Sequence, residues 1–153
     1  FLPYMIATET NNRVCASTLD ISKNGYKHIE KLIAEEKVNV RLLPNNAFER
    51  FETDEKFDLV TCFEMLEHVI DIDVVLNKIA GLLNENGTAM FTTPNKDGLY
   101  GHENDIIFNT SHLREYSKEE FSELLSKYFE VVECVEGDRK SDGLIYATCR
   151  KKQ

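Results

Sequence analysis

The chain has 153 residues, enough for one domain with a sizeable core. Hydrophobic residues make up 42%, and 27 acidic against 18 basic side chains leave a net charge of −9. That balance weighs against a nucleic-acid backbone as partner, which calls for clustered Lys and Arg, and no apolar run approaches the roughly 18–20 residues that cross a bilayer.

Residues 1–9 read as the end of a helix, with Pro3 tolerable only in its first turn. The chain opens without a Met, as an internal piece of a longer protein would, and without the basic start of a signal peptide. Residues 13–19 form a predicted strand, and Asp20-Ile21-Ser22 a turn. Ser22 is placed to cap a helix over 23–36, where Tyr26, Ile29, Leu32 and Ile33 recur at helical spacing. Residues 38–43 are a strand closed by Pro44-Asn45-Asn46. Residues 57–63 have a continuous apolar core, as a strand covered on both faces would. Asp71 or Asp73 starts a helix striped by Val75, Leu76, Ile79, Leu82 and Leu83. Asn84-Glu85-Asn86-Gly87 should end it, with Gly87 left-handed.

Residues 88–93 are the next strand, closed by Pro94 and Asn95. Residues 95–116 are a long polar segment of the kind that serves as a lid or substrate loop, with Tyr100, Phe108 and Tyr116 placed to shape an apolar pocket. Ser117-Lys118-Glu119-Glu120 is a capping box opening a helix with Phe121, Leu124, Leu125 and Tyr128 on its buried face. Residues 129–135 and 143–149 close the chain as an antiparallel hairpin. The basic run Arg150-Lys151-Lys152 reads as a solvated tail. Cys15, Cys62, Cys134 and Cys149 form no C-x-x-C pair and read as free thiols of a reducing, cytoplasmic compartment.

This alternation implies an α/β fold, a mostly parallel sheet with helices on both faces and a C-terminal antiparallel hairpin, in one domain over residues 1–153. In such sheets ligands bind at the carboxyl ends of the strands. Glu64, Glu67 and His68 stand at one such end, Pro94 and Asn95 at the next. The stretch FDLVTCFEMLEHV, followed by NENGTAMFTTPN, resembles the fourth and fifth strands of class I S-adenosylmethionine-dependent methyltransferases. It is most similar to the small-molecule type with an FE-x-x-EH-V turn, such as the ubiquinone-pathway O-methyltransferases, and the likeness runs from Leu2 to Cys149. The resemblance implies a Rossmann-like sheet, S-adenosylmethionine as cofactor and a methyl group moved to an oxygen or nitrogen of a small molecule.

The resemblance also distributes roles. Asp20, in a turn like the family's V-D-I-S, takes the ribose hydroxyls, and Ile21 packs on adenine. Asn46, followed by Ala47 and Phe48, stands where the family has an Asp that accepts from the adenine amino group; its carbonyl oxygen can serve without the charge. Phe63 and Glu64 complete the implied cofactor contacts. The family's Gly-rich loop has no counterpart, since no G-x-G occurs, and the domain is expected to lack its first strand and that loop. Removing a proton from a hydroxyl acceptor calls for a base near neutrality, so His68 is the first candidate, His112 the second, and Glu67 their carboxylate companion. His112 lies in HLREYS, which resembles the family's segment before its last helix, where the acceptor pocket is often lined; His102 reads as an exposed loop histidine, and His28, on the polar side of a helix, is given no role.

Glu64, Glu67, His68 and His112 also make a mixed oxygen and nitrogen set suited to a divalent ion. Some relatives with this turn use one and many do not, so no metal is assigned. A non-catalytic methyltransferase-like module within a larger protein is the alternative. A nicotinamide enzyme is disfavoured by the missing G-x-G-x-x-G and by the terminal hairpin.

Overall fold

The computed structural model describes residues 2–19, 22–43, 50–98, 112–137 and 143–152. They fall into two compact units, Phe1–Thr53 and Asp54–Gln153.

In the first unit, α1 (Leu2–Glu9) carries Pro3 in its first turn, where the missing N–H has no intrahelical partner to lose. Asn11 and Asn12 take left-handed conformations after it, at φ 50° and 59°. Asn12 Oδ1 then accepts from the Asn39 backbone N–H at 2.8 Å. β1 (Ala16–Thr18) pairs in parallel with β2 (Val40–Leu42). Between them α2 (Lys23–Glu36) begins where Ser22 Oγ accepts from Gly25 N and ends at left-handed Lys37. The predicted bounds of this helix hold, and Ile29 is its buried residue. Ala7, Val38 and Val40 form the buried core, with Tyr4, Ala16 and Ile33 packed against it.

The second unit is a four-stranded sheet in the order β3 (Phe57–Phe63), β4 (Leu83–Pro94), β6 (Leu144–Lys151), β5 (Phe129–Glu136). β3 and β4 are parallel, and the hairpin β5–β6 joins β4 antiparallel through β6. α3 (Ile72–Leu82) is capped by Asp71, whose side chain accepts from Val74 N. Its residues Val75, Leu76, Ile79 and Leu82 are buried as the stripe predicts, and the helix touches β3 and β4. α4 (Lys118–Ser126) has the full capping box between Ser117 and Glu120 and buries Phe121 and Leu125. Phe91, Phe121 and Phe129 are among the largest side chains wholly removed from solvent.

Three expectations need correction. Gly87 is not left-handed; the chain passes from α3 directly into β4, and glycine serves close approach instead. A Cβ there would stand 3.0 Å from Asn84 N, Asn84 O and Phe57 O. β3 is not covered on both faces among the described residues: Leu59 and Phe63, which share one face, are 44% and 42% exposed, while Cys62 on the other face is buried. Pro94 closes β4 as expected, in register opposite Leu144 as its last residue, where its missing N–H is tolerated. The basic run is not a free tail. Arg150 and Lys151 belong to β6, and Lys152 Nζ donates to Ser126 O at 2.6 Å, placing positive charge at the carboxyl end of α4.

Candidate functional site

The parallel ladder of β3 and β4 brings their carboxyl ends side by side. After Phe63 the chain turns through Glu64, a non-glycine residue at φ 49°. Such backbone persists only where the surroundings hold it. Here the Glu64 N–H donates to Thr92 O and to Thr92 Oγ1, both at 3.2 Å. A short 3₁₀ turn, Leu66–His68, follows. It buries Leu66 and Glu67 and leaves His68 half-exposed at the rim.

Glu67 is a carboxyl at 1% exposure. Thr93 Oγ1 donates toward its Oε2 at 3.5 Å, and His68 Nε2 lies 3.7 Å from its Oε1. Burial raises its pKa above the usual carboxylate range, and the charge of Glu64 adds to the rise; its backbone hydrogen bond, His68 and His112 pull the other way. Glu67 in turn adds to the burial that pushes the Cys62 thiol up to about 12, which keeps that cysteine inert.

Residues 112–116 clasp this turn from the other side. The Leu113 N–H donates to Glu67 O at 2.8 Å. Arg114 Nη2 donates to Val69 O at 2.9 Å and to Ile70 O at 3.0 Å. Tyr116 forms an isolated parallel bridge with Asn95, and its carbonyl accepts from Lys96 N at 3.0 Å. His112 is thereby brought to His68, with ring centroids 4.9 Å apart and planes at 71°. Its Nδ1 lies 3.0 Å from Glu115 Oε1. Burial raises the Tyr116 phenol, with Arg114 opposing.

Glu67, His68 and His112 are therefore gathered, although the first two are far from the third in sequence. One ligand atom from each lies within 4.8 Å of the others, a spacing that a single cation can bridge. Glu64, which the sequence placed in the same set, stays outside that group. Asn95 turns inward, but its Oδ1 accepts from Asp97 N at 3.0 Å, so it builds the turn that ends β4. Asp20, Ile21, Asn46, Ala47, Phe48, Tyr100, His102 and Phe108 lie outside the described residues. His28 is exposed on α2. The sequence reading passed over Glu115, Arg114 and Thr93; only the three-residue step from His112 to Glu115 hinted at a pair, and in non-helical backbone that step carries no signal.

A family model described as a methyltransferase domain matches residues 4–133. The ubiquinone biosynthesis O-methyltransferase of Pasteurella multocida (strain Pm70) is 49% identical over 43 residues, which is 28% of this chain and 18% of that protein. The chain thus matches less than a fifth of that relative's length. Among solved structures, the 1,6-didemethyltoxoflavin-N1-methyltransferase of Burkholderia thailandensis, with bound 1,6-didemethyltoxoflavin and S-adenosylhomocysteine, superposes with a TM-score of 0.76 at 18% identity, covering 97% of this chain and 66% of that one. An S-adenosylmethionine-dependent methyltransferase from Clostridium acetobutylicum ATCC 824 gives 0.73 at 14% identity, with 95% and 79% covered. At such identities the likeness is one of fold, a Rossmann-like α/β sheet with parallel and antiparallel strands.

Proposed function

The chain belongs to the methyltransferase domain family, and from that premise we propose that it moves a methyl group from S-adenosylmethionine to an oxygen or nitrogen of a small-molecule acceptor. The observation that carries the reading is the meeting of Glu67, His68 and His112 at the carboxyl end of β3, where open α/β sheets bind ligands. Two of the three named proteins support it: one is a ubiquinone biosynthesis O-methyltransferase, another an N1-methyltransferase with bound 1,6-didemethyltoxoflavin and S-adenosylhomocysteine.

Bound S-adenosylmethionine would supply an electrophilic methyl carbon, with its sulfur as the leaving atom that keeps the electron pair. The protein's part is to align acceptor and methyl group and, for a hydroxyl acceptor, to take its proton. His112 or His68 receives that proton. Glu67, removed from water between them, fixes the local charge. At the strand end Phe63 offers exposed apolar surface and Glu64 a carboxylate for the cofactor. Asp20 and Ile21 are assigned to the ribose and adenine, and Asn46, Ala47 and Phe48 to the adenine edge, on the sequence alone. The four cysteines are free, which supports a cytoplasmic setting.

Titration calorimetry with S-adenosylhomocysteine and S-adenosylmethionine tests the reading. Micromolar binding is expected, and Asp20→Ala should weaken it by about 1.5–3 kcal/mol, the worth of a charged hydrogen bond. No heat at millimolar ligand would replace the enzyme by a non-catalytic module.

A further inference from the structure

We propose that Glu115 is a positioning residue for methyl transfer: it holds the His112 ring with its proton on Nδ1, so that Nε2 is the atom that takes the acceptor's proton. The proposal rests on the methyl-transfer reading and assigns the base within it. His112 Nδ1 and Glu115 Oε1 are 3.0 Å apart, and both side chains are only 11% exposed. Water competes weakly for so sheltered a pair. An ionised carboxylate can only accept, so the hydrogen must sit on Nδ1. In the neutral imidazole the lone pair then falls on Nε2.

The surrounding backbone fixes the ring as well. Leu113 is tied to the Glu67 carbonyl, Arg114 to the carbonyls of Val69 and Ile70, and Tyr116 to the end of β4. His112 therefore sits in a segment anchored on both sides of Glu115. His68 is placed differently. It is 40% exposed at the rim, whereas His112 is 11% exposed. His112, the second choice from the sequence, becomes the first. With a hydroxyl acceptor, the O–H bond breaks as the new C–O bond forms. The proton passes to Nε2, and the Glu115 carboxylate offsets the charge of the resulting imidazolium.

The tautomer can be read directly. In ¹⁵N-labelled protein, at a pH where the ring is neutral, long-range ¹H–¹⁵N correlation distinguishes the two ring nitrogens; His112 is assigned by the signals lost in His112→Gln. The wild-type chain should show His112 as the Nδ1–H form alone. Glu115→Gln, whose amide can donate or accept, should give a mixture or the Nε2–H form. A wild-type ring protonated on Nε2 overturns the proposal and needs no variant that might misfold. So does a tautomer unchanged in Glu115→Leu, which has no acceptor to offer Nδ1–H. Heats of S-adenosylhomocysteine binding, recorded on the same samples, separate the levels. They should be equal in wild type and Glu115→Gln, because this ligand has no methyl group to transfer. Absence of binding by the wild-type chain removes the methyl-transfer reading, and the role of Glu115 with it; retained binding with the wrong tautomer removes Glu115 alone.

Discussion

Glu67 is removed from water and sits between two imidazoles, so its ionisation is tied to folding. Its pKa is raised above the ordinary 4.5, first by burial. A carboxyl raised in this way favours the folded state below its ordinary value and loses that contribution as pH climbs through the folded value. Glu67→Gln keeps the shape and removes the titration. The urea midpoint of the variant should therefore gain on the wild type as pH rises from below 4.5 toward neutrality. A difference independent of pH would mean that Glu67 does not titrate as a buried group. The sequence disclosed this carboxyl and both histidines as residue types worth weighing. It did not disclose that His112 meets the Glu115 carboxylate, since that depends on the backbone of residues 112–116. Nor did it place Arg114, whose two carbonyl acceptors are long-range contacts.

Elements were legible where a local signal and the packing agreed. Ser22 and Asp71 each accept the predicted capping bond, and the Ser117–Glu120 box opens α4. The predicted span of β3 is the observed one because turn residues bound an apolar run on both sides. The reading went astray where a residue has two uses. Gly87 can serve left-handed backbone or a tight approach, and only the neighbouring strand decides; Phe57 O and Asn84 close in on it. These are backbone atoms, which cannot swing aside. Gly87→Ala should therefore cost about 1–3 kcal/mol, as overpacking does. Gly81 provides the contrasting case. Nothing lies within 4 Å of its Cβ direction and it is helical, so Gly81→Ala should stabilise by about 0.5–1 kcal/mol. Chemical denaturation of the two variants checks the pair of signs; a stabilising Gly87→Ala would refute the close approach.

At the scale of the molecule the two units differ in what they can sustain. The first has a two-stranded sheet of three-residue strands and a small core around Ala7, Val38 and Val40. Two short strands are marginal by themselves and lean on the helices packed against them. The second unit holds the four-stranded sheet, with β4 paired on both sides. Opening should therefore be graded, since local stability follows buried apolar contact and ladder bonding. Hydrogen exchange in the native chain should be slowest in β4 and β6, and faster in β1 and β2. Ligand binding adds a second expectation. The sequence assigns the ribose to the turn after β1, so S-adenosylhomocysteine should slow exchange in the peptide that runs from β1 into α2. At a ligand concentration about 100-fold above Kd, the stabilisation of roughly 2.7 kcal/mol corresponds to exchange slowed by up to about 100-fold. Peptides of β5 lie outside every assigned contact and should gain least. Uniform protection of all peptides would point to global stabilisation without a local ribose site, and protection confined to β5 and β6 would place the ligand elsewhere.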